Sequence, residues 1–179
     1  MTIKKLAFLV SLTTILFVQE ELLTFIPNIQ LTFLLIIVYG SCIGIKDGTL
    51  IILVHVLLDN LFMSSFNLHT IIPMFIGYEL TLVCGYVLRN KNEFIISLVG
   101  ALCSFIYCIL FLITNIIVFD INPLEYFIAD LPFEIILMVC TIVTVLFLYK
   151  PIKKVCMNGV NQFINKKEEE IWPYLLIMV

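Results

Sequence analysis

The sequence predicts an all-α fold: an integral membrane six-helix bundle with both termini cytoplasmic. Three observations predict it. The 179 residues are 62% hydrophobic and only 13% charged, with a mean hydropathy of +1.15. That is more apolar surface than a soluble fold of this size can hide. Apolar runs near the roughly 20 residues needed to cross a bilayer core recur along the chain. They are continuously apolar rather than alternating, which argues against a transmembrane barrel and for helices, which satisfy their own backbone polar groups. Finally, all 10 basic residues fall on one side of a six-span layout.

The first helix covers Leu6 to about Ile26, behind the basic start Lys4-Lys5. No small-x-small cleavage site follows the apolar run, and Gln19-Glu20-Glu21 occupies the place of one, so the segment reads as retained rather than as a signal peptide. Ile26-Pro27-Asn28 forms a short turn. The second helix runs from about Ile29 to Ile45, and the third, rather short, from about Thr49 to Met63. Ser64 to His69 is a polar turn. The fourth helix spans about Thr70 to Leu88, with Pro73 in its first turn, where a missing amide hydrogen costs little.

Arg89 to Glu93 is a charged turn, and the fifth helix follows from about Phe94 to Phe119. Asp120 to Asp130 reads as the longest outer loop, with the composition of a short lid. The sixth helix runs from about Leu131 to Tyr149 and is ended by Pro151. Residues 1–154 thus make a six-span domain, and residues 155–179 a cytoplasmic tail. Trp172-Pro173-Tyr174 near its end suits either a membrane-surface patch or a frayed terminus.

Lys4, Lys5, Lys46, Arg89, Lys91, Lys150, Lys153, Lys154, Lys166 and Lys167 all lie on the side of the termini. The positive-inside rule places that side in the cytoplasm. Depth follows from orientation. Gln19, Glu20 and Glu21 then lie in the outer part of the first helix, and Asp59 and Asn60 near the outer end of the third, with His55 one turn below. Asn115, Asp130 and Glu134 are also outer, and Glu79 is about midway down the fourth helix.

Ionisable groups within a membrane are costly and usually face a protein interior or a watery cavity. Their concentration in the outer half predicts a pocket open to the outside. The competing placement is at the headgroup level, solvated. The candidate pocket residues are Gln19, Glu20, Asn28, Gln30, His55, Asp59, Asn60, Asn67, Glu79, Asn115 and Glu134. Amides in this set suit a ligand rich in donors and acceptors.

Other signals are weaker. The cysteines Cys42, Cys84, Cys103, Cys108, Cys140 and Cys156 stand singly in or beside apolar runs and read as small buried residues. Ala7 and Ser11, and likewise Gly40, Gly44 and Gly48, are spaced by four, a pattern that lets helices approach closely. It fits either packing within the chain or docking of another membrane subunit. The sequence contains no P-loop, no H-E-x-x-H and no G-x-S-x-G motif, and no basic face for nucleic acid. The expectation is a non-enzyme without cofactor or metal, whose work needs an energy source elsewhere.

Three stretches, taken as a set with this layout, resemble a known family. They are Ile26-Pro27-Asn28-Ile29-Gln30-Leu31-Thr32, then Leu58-Asp59-Asn60-Leu61 with Asn67 beyond it, then Leu131-Pro132-Phe133-Glu134 followed by Tyr149-Lys150-Pro151. Over roughly Leu6 to Lys154 the chain resembles the S components of energy-coupling factor (ECF) transporters. The resemblance implies a substrate-binding subunit in a bacterial plasma membrane that captures a vitamin-like small molecule from outside. It implies as partners a membrane T component and two cytoplasmic ATPase subunits. It also implies docking through a small-xxx-small face on the first helix, here Ala7 and Ser11, where the family more often has two alanines. The competing reading is a structural membrane protein, similar in span count to cell-shape proteins of the MreD type, with no small ligand.

Overall fold

The computed structural model describes residues 2–63 and 66–164. Among these residues there are six helices and no strand: α1 (Ile3–Leu23), α2 (Thr32–Cys42), α3 (Ile45–Met63), α4 (Leu68–Val87), α5 (Glu93–Phe119) and α6 (Pro123–Phe163). Side-chain caps fix several starts. The Thr2 hydroxyl accepts from the Lys5 amide at 3.3 Å. Asn92 accepts from the Ile95 amide at 3.0 Å, and Asn122 accepts from the Leu124 amide at 3.1 Å, just before Pro123 opens α6.

The helices form an all-α bundle built around α2. Every residue of α2 from Thr32 to Gly40 is buried, as expected of a helix apolar on all sides. It packs chiefly against α4 and α6. Glycines bring α2 and α4 together. A Cβ on Gly40 would run into the Leu82 carbonyl oxygen, and one on Gly85 would lie 2.5 Å from that of Ile37. Gly48 of α3 similarly faces the Leu82 side chain. Gly40 and Gly48 are therefore spent on packing within the chain. Gly44, with φ +92, adopts the left-handed backbone that turns α2 into α3.

Four helices, α1, α4, α5 and α6, are long and apolar enough to cross a membrane. Large apolar side chains such as Val10, Leu102, Ile113, Ile135 and Val139 point outward on them, an exposure that suits lipid. The protein is thus a multi-pass membrane bundle. α3 is long enough but carries Lys46, Asp47 and Asp59. α2 corrects the expected span of Ile29 to Ile45: its 11 residues reach only about 16 Å. Protein encloses it, so it need not traverse the hydrocarbon.

The other corrections have local causes. Residues 120–130 are not a loop. Only three residues separate α5 from α6, and the expected lid is the first two turns of α6. Pro151 does not end α6, which continues to Phe163 with Cys156 and Val160 buried. That extension is held by α1: Gly159 lies against the Phe8 ring, and Phe163 stacks on Phe8 with centroids 5.6 Å apart. The boundary expected at residue 154 therefore falls within a helix. α4 begins two residues early, which puts Pro73 in its second turn. The patch at Trp172 and Tyr174 lies outside the described residues.

Positive charges gather at one end of the bundle. Lys5 pairs with Asp47 at 2.7 Å and Lys150 with Glu93 at 3.0 Å, while the Lys153 ammonium donates to the Arg89 carbonyl at 2.7 Å. The start of α1 and the end of α6 share that end. The positive-inside rule assigns it to the cytoplasm and the opposite end to the outside.

Candidate ligand-binding site

At the end of the bundle away from Lys5, Lys150 and Lys153 lies a cavity of about 380 Å³, between the end of α1, the α1–α2 turn, α3, α4 and α5. Half of its lining is the segment from Leu23 to Gln30. This turn is shaped by Pro27 and by Asn28, whose φ of 59 is a left-handed value that asparagine tolerates better than most residues.

Gln19 anchors the turn to α1. Its side-chain oxygen accepts from the Leu31 amide at 2.8 Å. Its Nε2 donates to the Thr32 hydroxyl at 2.8 Å and to the Leu16 carbonyl at 2.9 Å. The Thr32 hydroxyl in turn donates to Gln30 Oε1 at 3.1 Å. One glutamine thereby satisfies an otherwise orphaned amide at the start of α2 and sets where the turn crosses the cavity.

Two carboxylates, Glu20 and Asp59, line the cavity. Glu20 Oε2 lies 3.0 Å from Nε2 of His55, a fully buried residue. The two atoms are close but not aligned as a hydrogen bond. The other Glu20 oxygen accepts from the Tyr78 hydroxyl at 3.5 Å. Asn60 is held by three contacts. Its Nδ2 donates to the Val56 carbonyl at 2.9 Å and meets Met74 Sδ at 3.5 Å, and its Oδ1 accepts from the Thr70 hydroxyl at 2.6 Å.

Aromatic rings close the inner side. Tyr78 and Tyr107 stack with centroids 5.1 Å apart. Phe33 meets both edge-on, at 5.8 and 5.5 Å. Tyr107 and Phe111, 4.9 Å apart, face the cavity. Gly77 makes room for this layer, since a Cβ there would lie 2.7 Å from the Tyr107 ring. Among the described residues no lysine or arginine lines the cavity.

Of the residues the sequence nominates, Glu20, Asn28, Gln30, Asp59 and Asn60 line this one hollow. Gln19 and His55 stand behind it, one holding the turn and the other against Glu20. Four do not reach it. Glu79 turns toward α3 and accepts from the Thr49 hydroxyl at 3.1 Å. Asn115 donates to the Tyr126 hydroxyl at 2.8 Å, tying α5 to α6. Asn67 precedes α4, where its carbonyl accepts from the Thr70 and Ile71 amides. Glu134 is buried on α6, both its oxygens without a hydrogen bond.

For Glu79, Asn115 and Glu134 depth is readable in the sequence but rotation about the helix axis is not. Thr70, Met74, Tyr107 and Phe111 line the cavity although the sequence does not single them out. The spacing of Tyr107 and Phe111, four apart on one helix face, was the available signal. Ala7 and Ser11 are both exposed, the Ser11 hydroxyl donating back to the Ala7 carbonyl at 2.9 Å. Among the described residues no three His, Cys, Asp or Glu side chains are placed to hold a metal ion.

No family model matches the chain, and no curated protein or solved structure matches it.

Proposed function

We propose that this chain is the substrate-binding subunit of an ECF-type importer in a bacterial plasma membrane, taking a vitamin-like small molecule from outside. The observation that carries this reading is the outer cavity, walled by Glu20, Asp59 and Asn60, roofed by the α1–α2 turn and floored by rings. Its volume falls within the usual range for small-molecule sites, about 300–1,000 Å³. A scaffold of the cell-shape type has no use for a carboxylate-lined hollow, whose desolvation costs stability.

The chain carries no nucleotide-binding motif, so uptake against a gradient calls for partners: a membrane T component and two cytoplasmic ATPase subunits. The exposed stripe of Ala7 and Ser11 on α1 offers a face without bulky side chains for close approach of such a partner's helix.

The test is native mass spectrometry of the full chain purified in mild detergent from its own host. The expected result is a co-purifying small molecule in about one-to-one ratio, released on denaturation. A protein that carries none, and shows no binding across a panel of vitamins and precursors, would remove the importer reading.

A further inference from the structure

The cavity's charge is one-sided. Glu20 from α1 and Asp59 from α3 face it, and Glu21 lies within electrostatic reach of Asp59. Against these carboxylates the neighbouring helices set one histidine, His55, and the hydroxyls of Tyr78 and Tyr107. Even a protonated His55 compensates only one of the two lining carboxylates. Lys5, Lys150, Lys153 and Arg89 lie at the opposite end of the bundle, beyond effective reach.

Glu20 Oε2 is sealed from solvent 3.0 Å from His55 Nε2, and the other Glu20 oxygen has only a long contact, 3.5 Å, from the Tyr78 hydroxyl. A second observation concerns shape. Tyr107 and Phe111 present their rings to the same space, and aromatic faces attract cations and flat rings. Asn28 and Gln30 bring amides from the turn to the opposite wall. A bare metal ion fits poorly: the volume far exceeds one, and no cluster of three ligating side chains is present among the described residues.

We propose that the cavity selects an organic cation bearing a flat, partly polar ring, its charge between Glu20 and Asp59 and its ring against Tyr107 and Phe111. This assignment rests on the binder reading above and adds the ligand's chemical class.

A charge series on one ring tests it. Purified full-length protein is titrated calorimetrically at pH 7 with 1-methylnicotinamide (cation), nicotinamide (neutral) and nicotinate (anion), and separately with cobalt(II) alone. The expected result is that the cation binds at least tenfold more tightly than the other two. Glu20→Gln and Asp59→Asn should each erase most of that preference. Equal affinities, or a preference for the anion, would overturn the cation assignment and leave the binder reading intact. Binding of cobalt(II) without the organic cation would overturn the ring. No binding by any probe would also overturn the proposal, and the co-purification experiment then decides separately whether the chain binds any small molecule. The wild-type charge series stands even if a variant fails to fold.

Discussion

Glu79 shows how little a single polar residue reveals on its own. A carboxylate midway down an apolar helix suggests a ligand contact, yet Thr49 donates to it at 3.1 Å across the α3–α4 contact, well away from the cavity lining. Glu79→Gln retains an acceptor for Thr49, so it should leave ligand affinity within about twofold. A tenfold loss measured by calorimetry would return Glu79 to the site. Glu20 is the opposite case. It belongs to the polar trio Gln19-Glu20-Glu21, but its neighbours do different work, Gln19 holding the turn while Glu20 faces the hollow. Adjacent helix positions point about 100° apart, so one trio contains both an anchor and a candidate contact.

At the scale of elements, the α2–α4 contact decides where the cavity floor sits. Gly40 and Gly85 let the two backbones meet, and Tyr78 of α4 lies over Phe33 of α2 as a result. Gly85→Val would push methyl groups into the Ile37 backbone. Overpacking of this kind costs typically about 1–3 kcal/mol, and a carbonyl cannot move aside as a flexible side chain can. The thermal midpoint in detergent should fall accordingly, and an unchanged midpoint would mean that the helices are not so close. α6 teaches a related lesson. Pro151 is a local stop signal, but the burial of Cys156 and Val160 and the stacking of Phe163 on Phe8 carry the helix past it. Tertiary contact outweighs the one missing hydrogen bond.

For the whole molecule, charge segregation sets orientation. With positive residues at one end and the cavity at the other, the positive-inside rule predicts that the cavity opens outward. In a cysteine-free background, Leu124→Cys at the start of α6 should react with an impermeant maleimide in intact cells. Lys4→Cys and Asn158→Cys should react only after permeabilisation. The reverse pattern would invert the protein and point the cavity into the cytoplasm, which would end the uptake reading.

Membrane residence and helical class were legible in the linear chain, as was the set of polar groups from which the cavity draws. Each depends on composition or on position along a helix axis, and both can be counted. The tertiary structure alone decided which of those groups share a space. It placed Glu20 and Asp59, from separate helices, on one hollow, turned Glu79 and Asn115 to other neighbours, buried Glu134 outside that hollow, and brought in Tyr107 and Phe111, which the chain presents simply as apolar residues. The physical reason is rotational. In a soluble helix the polar face marks the outside, but in lipid both faces are apolar, so the facing of a side chain is set by which helices pack together and how closely their glycines let them approach.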